Sequence, residues 1–184
     1  MSNSSGLKYA IFDCGVGWIG VLASENGLLK STLPQNSTQE ALKILGGDVG
    51  KAQWSLDYFH NLAERLKTYF SGQKVVFSDD LDLSRATPFQ RQVWQITKLI
   101  PYGETRSYKW VAEQVGNPRA VRAVGQALGK NPLLIIIPCH RVVNSNGKLG
   151  GFGGGLEMKQ TLIQMEAKSA RATQNQFASD KVFA

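Results

Sequence analysis

The residues able to do chemistry in this 184-residue chain gather in one stretch, Ile135-Ile136-Ile137-Pro138-Cys139-His140-Arg141. A cysteine attacks as its thiolate, so it needs a base or a positive environment. His140 is adjacent, but neighbours on an extended chain point to opposite sides. A bend or a bridging water is therefore required before His140 can serve the sulfur. The proline after the apolar run Leu133 to Ile137 predicts that a strand ends there, with Cys139 at a strand-to-loop turn. On these residues alone, Cys139 is either a nucleophile or a thiol packed at the end of a buried strand. Downstream, Asn146 to Leu156 holds six glycines in eleven residues around one aromatic, Phe152. Such a loop can wrap a flat ligand with Phe152 as a stacking wall, or it is a surface hairpin. It is not a phosphate loop, because Gly147-Lys148 is followed by leucine rather than serine or threonine. Glu166 is either an exposed acid or the group that orients a histidine.

Three helices precede this stretch and must position it. Thr87-Pro88-Phe89-Gln90 offers an N-cap, a proline at the first helical position and a glutamine at the third. Phe89, Val93, Ile96 and Ile100 keep helical spacing until Pro101-Tyr102-Gly103. Ser107 caps a second helix, with Tyr108, Val111, Ala112 and Val115 on one side and Gly116 at its end. Asn117-Pro118 starts a third, running to about Leu128 and Gly129, so the pair reads as a helix-turn-helix. The third helix has an apolar stripe (Val121, Val124, Leu128) and a second stripe of Arg122, Gly125, Gln126 and Gly129. Glycine inside a helix costs roughly 1 kcal/mol against alanine, so a close backbone approach is called for. Either DNA makes that approach with Arg122 in its groove, or another helix packs there. A last helix is predicted from about Leu156 to Ala167, carrying Leu162, Met165 and Glu166.

The first half reads as a small α/β module. "KYAIFD", "GWIGVLAS" and "LLKSTL" read as strands with a turn at "ENG". Ser37 and Glu40 are spaced as a capping box, and a stronger helix follows from about Trp54 through Phe59, Leu62, Leu66 and Tyr69. "KVVF" reads as a further strand and "SDDLDLS" as a linker. The expected fold is mixed α+β/α/β. A sheet-plus-helix domain spans residues 1–84. A mainly helical domain with a winged-helix-like helix-turn-helix spans 85–170, and a tail over 171–184 shows no pattern and is compatible with disorder. Residues 1–84 carry seven Lys/Arg against nine Asp/Glu, a net of −2, and residues 85–184 carry fourteen against five, a net of +9. A basic half beside a mildly acidic one points to a nucleic-acid face in the C-terminal part; the alternative is a generally basic solvated surface. No run of 18 apolar residues spans a membrane, and the N-terminus lacks signal-peptide regions. Only Cys14 and Cys139 are present, which suits a reducing cytosol. Two histidines and two cysteines make no metal-ligand spacing. Cys14 reads as a small core residue.

Taken together, the pieces resemble the O6-alkylguanine-DNA alkyltransferase family, also called methylated-DNA–protein-cysteine methyltransferases. "IPCHRVV" matches the family's active-site signature. "SYKWVA", "GNPRAVRAVGQAL", "NP" and "GGL" occur around it in the family's order, densest from Thr87 to Glu166. The resemblance implies direct, stoichiometric and irreversible transfer of the alkyl group from O6-alkylguanine, and O4-alkylthymine, to Cys139. By the same comparison His140 deprotonates Cys139 through a water and Glu166 polarises His140. Asn131 braces the active-site turn, and Tyr108 serves N3 of the leaving guanine. Arg122 is the finger that fills the stack when the nucleotide flips out, on a helix whose Ala123, Gly125 and Gln126 meet the minor groove. Pro138, Phe152 and Gly153 belong to the substrate pocket. Phe152 stands where many members have tyrosine and Gly153 where many have serine, which removes hydroxyl contacts to the base. The expected partner is double-stranded DNA containing O6-alkylguanine. The chain is expected to act in the cytoplasm as a monomer, with no cofactor, no metal and no membrane.

Three other readings make different predictions. A lesion-sensing alkyltransferase-like DNA-binding protein would lack the nucleophile, and Cys139 is present. A cysteine hydrolase would use the Gly150–Gly155 loop as an oxyanion hole and turn over repeatedly. A helix-turn-helix regulator with an inert cysteine would bind specific sequences and ignore O6-alkylation.

Overall fold

Alternation of buried and half-buried residues makes Lys8–Asp13 the first strand, β1. In the computed structural model, which describes residues 6–180, β1 pairs antiparallel with β2 (Trp18–Ser24), and β2 pairs antiparallel with β3 (Gly27–Ser31). Helix α1 (Thr38–Leu45) follows. Its cap is a modified capping box: Ser37 Oγ accepts from Glu40 N at 3.2 Å, while Glu40 Oε2 accepts from Asn36 N at 3.1 Å rather than from Ser37 N. Leu22, Leu29 and Leu45 form a buried cluster between sheet and helix. Cys14 is a core residue, its Sγ donating to Gly17 O at 3.1 Å.

Two expectations in this half fail. Trp54 does not start a helix; Gln53–Trp54 is a short strand, β4, parallel to β1 at the sheet edge, and α2 begins at His60 and ends at Phe70. The edge position of Trp54 is held by Tyr9, whose ring it meets edge-on at 5.5 Å, so sheet pairing overrides the helical spacing. "KVVF" forms no strand. Val76 is 72% exposed, Phe77 packs its ring edge-on against Tyr69 at 6.1 Å, and the next ladder contact is a single bridge between Leu28 and Leu81.

The chain divides into two compact units. The first holds the residues through Ser71, Val75–Thr87 and, from far along the chain, Asn131–Ile136. The second holds Gly72–Lys74, Pro88–Lys130 and the residues from Ile137 onward. In the second unit α3 (Pro88–Lys98), α4 (Tyr108–Gln114) and α5 (Val121–Gly129) pack on one another. Ser107 caps α4 as expected, accepting from Trp110 N at 3.0 Å. Trp94 Nε1 donates to Ala127 O at 3.0 Å, tying α3 to the end of α5 inside the core. The buried face of α3 is Val93, Trp94 and Thr97. Helix α5 begins at Val121, later than Pro118, because Asn117 to Ala120 close a turn through Ala120 N to Asn117 O at 2.9 Å. Two-residue strands β5 (Arg106–Ser107) and β6 (Val142–Val143) pair in parallel. The last helix, α6, runs from Leu156 to Asp180, well past Ala167. Residues 171–180 thus continue a helix instead of forming an unpatterned tail, and residues 181–184 lie outside the described residues. No helix among the described residues is long and apolar enough to cross a membrane.

Candidate active site

The apolar run before Cys139 is not a regular strand. Leu133 bridges to Ser31, and Ser31 Oγ donates to Leu134 O at 3.0 Å. Ile135 then takes φ +74, a conformation that β-branched residues rarely adopt. Leu133, Ile135, Ile136 and Ile137 are nonetheless at most 3% exposed, so packing stabilises the irregular path. Asn131 Oδ1 accepts from Leu133 N at 2.9 Å at the start of the run. Asn131 therefore lies with the first unit, whereas Ile137 to Glu166 lie with the second.

Cys139–Arg141 form a turn of 3₁₀ helix behind Pro138. Three residues per turn rotate successive side chains by about 120°, so Cys139 and His140 are not placed on opposite sides as on a strand. The required bend is built into the backbone. Cys139 lines a cleft of about 710 Å³, while His140 is fully buried. The cleft is walled by Tyr108 at the start of α4, by Arg122, Gly125 and Gln126 on α5, and by Gly150 to Gly153. Asn144, which the sequence reading passed over, lines it too. Ala123 and Pro138 do not line it. A Cβ on Gly125 would touch the Tyr108 ring only at 3.9 Å, and one on Gly129 would meet nothing. No neighbouring helix therefore explains these glycines, and their stripe faces open space. Gly150, by contrast, is required by the chain itself. Its φ is +68, and a Cβ there would stand 2.7 Å from the Tyr108 ring and hydroxyl.

Behind the cysteine sits a buried charge network. His140 Nε2 lies 2.8 Å from Glu166 Oε1. Arg141 reaches both carboxylate oxygens, Nε at 2.8 Å and Nη2 at 3.0 Å, and its Nη1 donates to Ile100 O. Gly103 N donates to Glu166 Oε2 at 3.1 Å. Gly103 holds φ +81 and would clash with Ala170 if it carried a Cβ. Burial alone would raise the Glu166 carboxyl, but the hydrogen bonds from His140 and Arg141, with the Arg141 charge, hold it at about 2. Burial also pushes the His140 imidazole down, against the pull of Glu166 and with repulsion from Arg141 and Lys159. Arg141 by itself supplies Glu166 with a full positive charge, so the pair is a carboxylate beside a neutral imidazole. Nε2 then carries the proton toward Glu166, and Nδ1 presents a lone pair.

Both groups make folding acid-sensitive. An unfolded histidine takes up a proton below its ordinary 6.5, and an unfolded glutamate below its ordinary 4.5, while the native groups resist. The unfolded state then binds more protons, so stability is full above pH 6.5 and falls on acidification. The Glu166 part, on the order of 3 kcal/mol, is lost as pH drops from 4.5 toward 2. Urea midpoints measured at pH steps check this. The steep loss below pH 4.5 is expected to shrink in Glu166→Gln, and an identical acid limb in that variant would contradict it.

Besides Asn144, two participants have no role legible in the sequence, Arg141 and Lys159. Lys159 is fully buried, and its Nζ donates to Val142 O at 2.5 Å and Gly151 O at 3.3 Å. The available signal was its spacing, three residues before Leu162 and seven before Glu166, on the inward face of α6.

Residues 88–168 match the family described as 6-O-methylguanine DNA methyltransferase, DNA binding domain. The methylated-DNA–protein-cysteine methyltransferase of Methanosarcina acetivorans is 40% identical over 163 residues, covering 87% of this chain and 98% of that protein. That of Mycolicibacterium paratuberculosis is 51% identical over 115 residues, covering 62% of this chain and 69% of that one. The crystal structure of Mycobacterium tuberculosis O6-methylguanine methyltransferase is similar with a TM-score of 0.72 at 36% identity, over 89% of this chain and 94% of that one. A Mycobacterium tuberculosis OGT structure in complex with DNA gives a TM-score of 0.72 at 38% identity, over 88% and 94%. A cysteine-centred cleft with these likenesses defines a cysteine alkyltransferase. The chain belongs to the methylated-DNA–protein-cysteine methyltransferase family.

Proposed function

We propose that this protein repairs DNA by moving the alkyl group of O6-alkylguanine, and of O4-alkylthymine, irreversibly onto Cys139. The observation that carries the reading is the seating of Cys139 in the cleft, with His140 on the same turn held by the buried carboxylate of Glu166 from α6. His140 Nδ1, acting through a water, takes the thiol proton. The sulfur attacks the alkyl carbon in line, an S–C bond forms as the C–O6 bond breaks, and the electron pair passes into the guanine ring. Tyr108 serves N3 of that leaving base. Its hydroxyl is raised by burial, so it remains a phenol and a donor at neutral pH. Glu166 keeps the imidazole in the useful tautomer, and Asn131 braces the backbone that leads into the turn.

DNA is bound from the minor groove by a winged-helix-like helix-turn-helix built on α4 and α5. Arg122 enters the stack as the nucleotide flips out, at a cost of a few kcal/mol, and Ala123, Gly125 and Gln126 approach the backbone. Phe152, whose ring meets His140 edge-on at 6.4 Å, offers a face to the flipped base. Gly153 leaves open space where a side chain would stand, which fits O6 groups larger than methyl. Pro138 sets the turn that presents the cysteine. The chain works as a monomer, in a cytoplasm reducing enough to keep its thiol reactive.

The test follows lesion removal from duplex DNA containing O6-methylguanine, beside reaction with free O6-benzylguanine. Wild type is expected to remove one lesion per protein and stop. Arg122→Ala is expected to slow duplex repair at least about 10-fold, the loss of one stacking or phosphate-side anchor, and to react with the free base as wild type does. Repeated turnover would point to a hydrolase and overturn the function. Equal losses on both substrates would overturn the role of Arg122.

A further inference from the structure

Lys159 is a fully buried cation that the transfer steps above do not use. It lies on α6, and its side chain reaches three parts of the site at once. Nζ donates to Val142 O at 2.5 Å, directly after the Cys139–Arg141 turn. It donates to Gly151 O at 3.3 Å, inside the glycine-rich wall. It also lies 5.6 Å from the centroid of the Tyr108 ring. Gly151 O is shared, since the Tyr108 hydroxyl donates to the same carbonyl at 3.3 Å.

We propose that Lys159 is a positioning residue for the transfer: it latches the glycine-rich wall to the backbone that follows the Cys139–Arg141 turn and holds a buried positive charge beside that turn. Resting on the alkyltransferase reading, the idea gives the shared carbonyl a purpose. When a base enters the cleft, the Tyr108 hydroxyl is needed at the base, and its neutral bond to Gly151 O is a weaker hold than the equally long charged bond from Lys159. Lys159 keeps that carbonyl in place while Tyr108 changes partner, so the wall does not open as the substrate docks. A buried ammonium also favours the thiolate over the thiol, and this effect is strong where water is excluded.

The titratable and charged groups around the ammonium are Tyr108 from α4, Cys139 and His140 from the turn and, through His140, the Arg141–Glu166 pair. Burial lowers the Lys159 amine to about 8, opposed by the Cys139 charge. At neutral pH the ammonium persists, and forming the thiolate strengthens it.

The experiment compares wild type with Lys159→Met, Lys159→Gln and Lys159→Arg. Two readouts are used from pH 5.5 to 9.5: reaction of Cys139 with iodoacetamide, which needs no DNA, and single-turnover transfer from O6-benzylguanine. In Lys159→Met the iodoacetamide profile is expected to move up by about one pH unit. Transfer at pH 7 is expected to fall about 10-fold, the deficit narrowing as pH rises. Lys159→Gln, which keeps a donor without the charge, should show the same profile shift, and Lys159→Arg should restore the wild-type profile. Profiles that coincide in wild type, Lys159→Met and Lys159→Gln would overturn the proposal, as would a pH-independent loss that Lys159→Arg does not relieve. Should Lys159→Met fail to fold by circular dichroism, the Lys159→Gln and Lys159→Arg profiles decide by the same criteria. Wild-type protein that reacts with iodoacetamide but not with O6-methylguanine in duplex DNA would instead overturn the alkyltransferase reading.

Discussion

Cys139→Ala protein incubated with duplex DNA containing O6-methylguanine is expected to keep its mass, while wild type gains one methylene on the peptide containing Cys139. The argument is chemical. Among the residues lining the cleft, Cys139 is the one whose side chain becomes a strong nucleophile at neutral pH. Tyr108 is held as a phenol by burial, and Arg122, Gln126 and Asn144 carry no nucleophilic atom that competes. Substitution should lower transfer by about 10⁴-fold or more, as loss of an essential nucleophile does. Stability should change little, by about 1 kcal/mol, because a side chain opening onto a cleft leaves no sealed cavity. Binding to the lesion-bearing duplex should persist, since Arg122 and α5 are untouched. Intact-protein and peptide mass spectrometry read the first result, and urea unfolding reads the second. A methylene found on another residue, or on the Cys139→Ala protein, would refute the assignment of the acceptor.

Glu166→Ala is expected to cost about 3–5 kcal/mol of stability, the range for removing one partner of a buried ion pair. Three groups lose their acceptor at once: the His140 ring, the Arg141 guanidinium and Gly103 N. The carboxylate is 1% exposed, so water does not readily replace it. The loss should also reach the chemistry, because nothing then fixes the proton of His140 on Nε2. Transfer should slow by about 10- to 100-fold in the folded fraction, comparable to loss of an orienting partner elsewhere. Glu166→Gln keeps one acceptor oxygen but turns an amide donor toward His140 or Arg141, so its cost has the same sign and is smaller. Denaturant unfolding at pH 7.5 and single-turnover rates measure these effects. A Glu166→Ala penalty below about 1 kcal/mol would show that the network does not anchor the site.

What could be read locally was read from interactions spanning a few residues. Ser37 and Ser107 cap helices because an N-cap oxygen needs only an amide three positions on. The α4–α5 pair follows from apolar spacing broken by Gly116-Asn117-Pro118. Cys139, the Arg122 stripe and the glycine-rich wall are legible as residue types in order. Even so, the case for chemistry rested on their resemblance to one family, because a lone Cys-His pair does not exclude packing.

What the sequence did not contain was decided by partners far along the chain. Helical spacing from Trp54 yields to pairing with β1, and "KVVF" stays out of the sheet with its Phe77 ring packed on Tyr69 of α2. The run Leu133 to Ile137 looks like a strand because its side chains are all apolar. Its backbone is instead set by Ser31 and by the left-handed turn at Ile135. The 3₁₀ turn that brings His140 off the side opposite Cys139 has no local signature. The roles of Arg141 and Lys159 depend on which carboxylate and carbonyls come within hydrogen-bond reach of them in the interior. Sequence alone determined which groups this protein has for alkyl transfer and the helices that carry them. Tertiary structure decided their charge states and directions, because burial and long-range hydrogen bonds act only once the chain is folded.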